Sequence, residues 1–378
     1  MTKHNKSNNK TTRKKRGGKV IGSGGYGCVF RPALKCKTAK KRLRGRVSKL
    51  LTKKHARVEK KTINRILKVV KYIPNYKEYF IIDDVTMCEP ATLTRSDLAN
   101  FDKKCSVFEK HDKVTKRNIN DNLKKYYMLN LPDGGISLAH YYNEMSDLQH
   151  LKYINAQLIN LLANGVVPLN DAHMYHADIK ESNVLYDTTT HKVGLIDWGL
   201  SFSYKRGKIP TIIRNKPLQY NHPFSVILFN KTFDSMYSEI LSEHNQMLSR
   251  RDLYDFLIDY IRVWRQERGD GHYQSIVDIW KHVAGTEYVI EEIIVPYLAE
   301  ILTAYTSQGR FHSSKYFANV FLRNVDVWGF LMTYSPILET NVFDRRSPLV
   351  EIYKRHLLAR STEPIDVNEV MYHLMINL

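Results

Sequence analysis

The chain has 378 residues, with 58 Lys+Arg against 38 Asp+Glu for a formal charge of +20, 43% hydrophobic residues and 25% charged ones. These are ordinary globular proportions, and they exclude wholesale disorder, a collagen-like fibre and a disulfide-dense secreted scaffold. The length suits two or three domains, or one large two-lobed one, with ample material for a core.

The charge is unevenly placed. Residues 1–72 hold 25 Lys+Arg and a single acid, Glu59, whereas residues 73–378 hold 33 Lys+Arg and 37 acids. Most of the chain is therefore close to neutral, which argues against nucleic-acid binding as its main task. The four cysteines, Cys28, Cys36, Cys88 and Cys105, form no CxxC pair and have no His at zinc-finger spacing, so free thiols in a reducing compartment are expected. No run reaches the roughly 18 apolar residues of a membrane span, and the N-terminus lacks the apolar stretch of a secretory signal. The expectation is a soluble intracellular protein, cytoplasmic or nuclear.

In chain order, residues 1–19 are basic, without acids or apolar periodicity, and read as a disordered tail open to nuclear import, nucleic-acid contact or plain solubilisation. VIGSGGYGCVF (20–30) reads as a β-hairpin with a glycine turn. RVSKLL (46–51) suits a buried strand, and residues 53–73 place Ala56, Ile63, Ile66, Leu67 and Val70 at helical spacing. EYFIIDDVTM (78–87) and KYYMLNL (125–131) read as strands. Residues 138–165 predict one or two helices capped at Asn164-Gly165. Two short strands follow, around 184–186 and 193–196, and beyond Phe224 the pattern is almost wholly helical. The fold class is α+β, a small β-rich part preceding a larger helical one.

Three motifs carry chemistry. Gly22-Ser23-Gly24-Gly25-Tyr26-Gly27-Cys28-Val29, preceded by Ile21, fits G-x-G-x-x-G-x-V, in which the backbone can approach a triphosphate closely and Tyr26 can cap it. A glycine cluster alone also fits a flexible turn or a dinucleotide fingerprint, but the latter needs a helix next, and Cys28-Val29-Phe30 is strand-like. His176-Ala177-Asp178-Ile179-Lys180-Glu181-Ser182-Asn183 sets an Asp, a Lys and an Asn on a loop before a strand. Asp178 suits deprotonation of an acceptor hydroxyl, Lys180 neutralises charge on a moving phosphoryl group, and Asn183 suits a metal ion. Ile196-Asp197-Trp198-Gly199, with its acid fourteen residues after Asn183, ends an apolar strand on a carboxylate suited to Mg²⁺.

Together these motifs resemble the eukaryotic-type protein kinase family, Ser/Thr branch, over residue 20 to the C-terminus. The G-S-G-G-Y-G-C-V-F and V-S-K-L segments are most similar to the Ser/Thr kinases of large DNA viruses, which would place the protein in an infected host cell or a virion. The resemblance implies a two-lobed protein-kinase-like fold, with an N-lobe at about 20–131, a C-lobe at about 136–378 and a helical insertion at about 224–325. It implies ATP and Mg²⁺ as cofactors, with Mn²⁺ as an alternative metal, and Asp178 as catalytic base. It also implies a phosphate-anchoring lysine. Lys35 lies only eight residues after Gly27, whereas Lys49 lies 22 after it, leaving room for two strands, so Lys49 is chosen, with Glu59 as its partner. A hinge is implied near residues 129–133, with its adenine donor at Leu131 or Asp133 because Pro132 has no N–H. Asp326-Val327-Trp328-Gly329-Phe330 resembles the start of the central helix whose Asp ties back to the catalytic loop.

Ala177 stands where many family members have an Arg that pairs with an activation-segment phosphate, so activity without such phosphorylation is expected. Trp198 replaces a Phe, and Asn221-His222-Pro223-Phe224 is the nearest counterpart of A-P-E. Residues 198–223 carry Lys205, Arg206, Lys208, Arg214 and Lys216 and no acid, favouring acidic or already phosphorylated protein substrates. Two other readings stay open at this point: a small-molecule kinase of the aminoglycoside or choline type, and a kinase-fold scaffold that binds nucleic acid or acidic partners through its basic N-terminal part.

Overall fold

The computed structural model describes residues 18–144, 148–338 and 348–378, so the expected tail falls outside the described residues except for Gly18 and Lys19. The fold is mixed α+β with small antiparallel sheets. The described residues divide into two compact units, 18–61 with 82–133, and 62–81 with those from 134 on.

In the first unit β1 (Lys19–Gly24), β2 (Gly27–Arg31) and β3 (Arg46–Thr52) form an antiparallel meander. Lys19 opens β1 rather than closing the tail. Helix α1 (Lys53–Val70) begins directly after β3, and its residues from Thr62 on belong to the second unit. Ala56, Ile63, Ile66 and Val70 are buried along one stripe while Lys54, Arg57, Lys61, Arg65 and Lys68 are exposed, as the spacing requires.

The stretch expected as one strand over 78–87 is divided. Helix α2 (Tyr76–Tyr79) comes first, Phe80 bridges to Leu195, Asp84 takes a left-handed φ of 50°, and only β4 (Thr86–Cys88) is strand. The Asp83-Asp84 turn interrupts the run, so its apolar residues serve different partners. Helices α3 (Phe101–Lys104), α4 (Ser106–Asp112) and α5 (Ile119–Asn122) lead to β5 (Tyr126–Pro132), which lies between β3 and β4 and completes the order β1-β2-β3-β5-β4. Val20, Cys28, Phe30, Leu50, Met128 and Tyr126 form one core with Phe101 and Phe108.

The second unit continues with β6 (Ile136–Ser137), α6 (Leu138–Glu144) and α7 (Leu148–Leu161). The expected cap at Asn164-Gly165 is not a terminus: a π turn over 162–166 carries the helix on into α8 (Val167–Asp171). Gly165 is needed for packing instead, since a Cβ there would lie 2.9 Å from Tyr79 Cβ. Next come β7 (Met174–Tyr175), β8 (Val184–Asp187), β9 (Lys192–Leu195), β10 (Phe202–Ser203) and α9 (Thr211–Arg214).

Residues 224–325 are densely packed. They include α10 (Lys231–Glu243), α11 (Arg250–Arg268), α12 (Tyr273–Ala284), α13 (Val295–Tyr305) and α14 (Ser313–Tyr316), with a short hairpin of β11 (Thr306–Ser307) and β12 (Arg310–Phe311) as the exception to the helical pattern. Phe224 packs edge-on against Trp280, Tyr297 and Trp328. A π turn over 317–321 joins α14 to α15 (Leu322–Met332), and α16 (Ser335–Leu338), α17 (Pro348–Tyr353) and α18 (Val367–Asn377) follow. Among the described residues no helix is long and apolar enough to cross a membrane.

The cysteines are not free. Cys28 is bonded to Cys105 and Cys36 to Cys88, across sequence separations of 77 and 52 residues with Cα atoms 5.6 and 5.9 Å apart. Neither pairing has a recognisable spacing, because the sheet and the α3–α4 turn bring the partners together. By the chain-entropy argument each bridge contributes about 4 kcal/mol to the first unit. Iodoacetamide is therefore expected to label none of the four cysteines before a reductant is added, and dithiothreitol to lower the melting temperature. Ready alkylation of the unreduced chain is the contrary result.

Candidate active site

Strand alternation places the candidate residues of the first unit. Val29, Lys49 and Leu129 stand opposite one another across β2, β3 and β5, and so do Cys28, Leu50 and Met128. Successive side chains leave opposite faces. Cys28, Leu50 and Met128 point into the core, so Val29, Lys49 and Leu129, with Val47 and Leu131 two positions along, share the other face. Of Cys28, only the backbone can meet a ligand on that face.

The Lys49 ammonium lies 2.9 Å from Glu59 Oε1 on α1, both partly shielded from solvent. Lys35 is exposed and lies beyond the end of β2.

At the hairpin tip Gly24 pairs with Gly27 around Gly25 and Tyr26. Gly22, Gly24 and Gly25 have no left-handed φ, and a Cβ at any of them would meet nothing within 4 Å. Neither a left-handed φ nor packing demands glycine there, and the backbone at these three positions is open to close approach. Gly27 is different: a Cβ would collide with the Leu50 carbonyl. Ile21 lies in the irregularity between Val20 and Gly22 and is exposed, as is Ser23. Tyr26 is 64% exposed and its ring lies 4.4 Å from that of His55 at the start of α1. At the expected hinge Leu131 is half-buried opposite Val47, while the Asp133 N–H is taken by Gly45 O at 3.1 Å. Asp133 is therefore not an open donor.

The candidate residues of the second unit are built on the loop between β7 and β8. Asp178 is buried, and its Oδ1 accepts from Lys180 Nζ at 3.1 Å and from Asn221 Nδ2 at 3.0 Å. Asn183 Nδ2 donates to Asp178 Oδ2 at 2.9 Å and to the Asp178 carbonyl at 2.8 Å. Engaging the amide nitrogen orients the Asn183 oxygen the other way. Val184 pairs with Leu195, and Ile196 N donates to Asn183 O at 3.0 Å, so Asn183 and Asp197 emerge at the same end of the β8–β9 hairpin. Asp197 is exposed and left-handed (φ 60°), a strained state for a non-glycine residue. Two hard oxygen donors suit Mg²⁺, which takes few protein ligands and completes its shell with phosphate and water. Among the described residues no group of three His, Cys, Asp or Glu could hold a metal without such help.

Behind the loop sits Asp326. It lies in mid-helix rather than at a helix start, since helical turns run unbroken from Ser313 through α15. Its carboxylate accepts from His176 N at 2.8 Å and Ala177 N at 2.7 Å, and in its satisfied orientation the Asn170 amide adds a third donor at 2.8 Å. Burial still pushes the Asp326 carboxyl above its ordinary range, against those hydrogen bonds. Gly329 permits this closeness, because a Cβ there would lie 2.6 Å from Ile179 O. Trp328 Nε1 donates to Tyr220 O at 2.9 Å. Trp198 is buried edge-on against Phe80 at 5.3 Å and lies 4.7 Å from the His176 ring.

The segment after Trp198 differs from its sequence reading. Lys216, grouped there with surface charges, is buried: its Nζ lies 3.1 Å from Ala177 O and 2.8 Å from His222 Nε2. Arg214 Nε is committed to Ile209 O at 3.0 Å. Lys205, Arg206 and Lys208 remain exposed. Ser201 and Tyr204 are buried, their hydroxyls donating to Trp198 O and Gly207 O.

Asn221, His222 and Lys216 were not assigned to the site from sequence. The only signal was that Asn221-His222 stood where a docking motif was sought. Tyr220 donates to both oxygens of Glu181 at 2.9 and 2.8 Å, and burial pushes that carboxyl up.

Compared with known proteins, the chain matches no family model and no curated sequence.

Asp326→Asn would replace one acceptor by an amide donor facing a backbone N–H, and Gly329→Ala would force α15 off the loop. Each is expected to cost about 2–4 kcal/mol in urea unfolding. Values within error of wild type would remove Asp326 and Gly329 as the support of the loop.

Proposed function

We propose that the chain is an ATP-dependent Ser/Thr protein kinase, akin to those of large DNA viruses, with a two-lobed protein-kinase-like fold. The observation that carries this reading is the Asp178 carboxylate held jointly by Lys180, Asn183 and Asn221, with Asp197 at the same hairpin end as Asn183. On this reading the glycine hairpin and the Lys49–Glu59 pair bind the phosphates of ATP. Asn183 and Asp197 would hold Mg²⁺, which supplies charge neutralisation at the phosphates when bound. Asp178 orients the acceptor hydroxyl and takes its proton as the oxygen attacks the γ-phosphorus and the bond to ADP breaks. Lys180 offsets the charge on the oxygens in transfer.

Ala177 leaves no arginine for an activation phosphate, and the internal bonds of Ser201 and Tyr204 leave Ser203 and Thr211 as the exposed hydroxyls among the segment's four candidates. Lys205, Arg206 and Lys208 favour an acidic or phosphorylated acceptor segment.

With radiolabelled ATP and Mg²⁺, wild type should label protein acceptors, and Asp178→Ala and Lys49→Ala should each lose about 100-fold or more in turnover. Transfer to aminoglycosides or choline alone would favour the small-molecule reading, and ATP-independent binding of acidic partners the scaffold. The double variant Ser203→Ala, Thr211→Ala should retain turnover within about twofold, since surface substitutions of this kind perturb little. On a peptide array, preference for basic flanks would exclude the acidic-substrate proposal.

A further inference from the structure

A buried ammonium is costly unless something uses it. Lys216 has no carboxylate within ion-pair distance among its described contacts; its Nζ meets a carbonyl, Ala177 O, and a neutral ring nitrogen, His222 Nε2. His222 is fully buried, and burial together with the adjacent ammonium opposes its protonation, so the ring is neutral; facing an ammonium at 2.8 Å, Nε2 is the acceptor in the tautomer that carries its hydrogen on Nδ1. Trp264 on α11 fixes the other end of the residue, donating from Nε1 to Lys216 O at 3.2 Å. The site is thus assembled from three parts of the chain around one carbonyl.

That carbonyl belongs to the peptide joining Ala177 to Asp178. Ala177 is left-handed, with φ 55°, and non-glycine residues persist in that region when their surroundings over-determine it. Its N–H is held by Asp326 Oδ1 at 2.7 Å and its C=O by Lys216 at 3.1 Å. Fixing both sides of one residue sets the direction from which Asp178 leaves the backbone.

We propose that Lys216 is a positioning residue of the transfer site: its buried ammonium clamps the Ala177–Asp178 peptide in its left-handed turn and so holds the Asp178 carboxylate ready without an activating phosphate. This rests on the phosphoryl-transfer reading for its consequence in turnover, while the clamp itself is a statement about the loop. The positive charge that aligns the loop is carried inside the fold by the segment after Trp198, so no external event is needed to supply it.

The titration behaviour has a sign that separates positioning from mere support. Burial pushes the Lys216 ammonium down to about 8, against the pull of Asp178 on the loop and Asp326 on α15 and with the push of Lys180. His222 on its own segment is neutral, His272 ahead of α12 also has its protonation opposed by burial, and α11 contributes the uncharged Trp264. A lysine with a lowered folded-state value binds fewer protons folded than unfolded between about 8 and 10.5, so its contribution to stability rises with pH in that window. Turnover should instead fall as the ammonium is lost. Alkaline loss of activity through Lys216 therefore cannot be unfolding through Lys216.

The test is Lys216→Met, which keeps length and removes charge. Turnover should drop about 10- to 100-fold with the KM for ATP little changed, as expected for misplacement of a reacting group. The wild-type fall in kcat above about pH 8 should be absent from the variant's profile. Hydrogen exchange across residues 176–180 should accelerate in the variant while the first unit's sheet is unaffected. Wild-type turnover in Lys216→Met, or unchanged exchange in the loop, overturns the proposal. Should the variant not fold, the wild-type profile decides: a flat kcat from about pH 7 to about 9.5 overturns it and a fall supports it. If wild type transfers no phosphate to any acceptor, the kinase reading fails, and loop exchange alone then carries or overturns the clamp.

Discussion

One buried carboxylate organises the candidate site of the second unit. The loop from His176 to Ser182 has no regular structure, so its backbone groups need partners elsewhere. Asp326 takes two successive N–H groups, of His176 and Ala177, and the Asn170 amide as well. A carboxylate without these donors would be too costly at full burial, and the loop without the carboxylate would have orphaned donors. Each makes the other tolerable. Gly329, one turn on, lets the helix backbone come close enough for the contact, and Trp328 ties the same helix to Tyr220. The left-handed Ala177, the orientation of Asp178 and the approach of Lys216 all depend on this arrangement.

In the first unit the governing constraint is strand alternation. Because β2, β3 and β5 are in register, one face carries Val29, Lys49 and Leu129 and the other carries the core. The bridge between Cys28 and Cys105 fixes the core side of the strand that follows the glycine turn, leaving Gly22, Gly24 and Gly25 with open space around them. That glycine backbone is uncrowded and has no left-handed φ at those three glycines.

Much of this was legible from local pattern. The glycine hairpin, the strand of Lys49 and the helix of Glu59 could be read from periodicity and spacing, since hairpins and amphipathic helices declare themselves within a dozen residues or so. The choice of Lys49 over Lys35 followed from the length of chain that two strands require. Gly165 misled because a glycine that ends a helix and a glycine that makes room for Tyr79 look identical in sequence. The segment 78–87 misled because its apolar residues are buried against different elements rather than along one sheet.

By itself, then, the sequence determined the glycine hairpin, the strand of Lys49, the helix of Glu59 and the chemical identity of the groups at Asp178, Lys180, Asn183 and Asp197, because these are set by neighbours a few positions apart. The tertiary structure decided what long-range contact alone can set. It paired the four cysteines, buried Lys216 that composition had counted as surface charge, and brought Asn221 to Asp178 across 43 residues of chain. A lysine's charge is written in its codon, but whether that charge faces water or a backbone carbonyl depends on helices that fold over it from elsewhere.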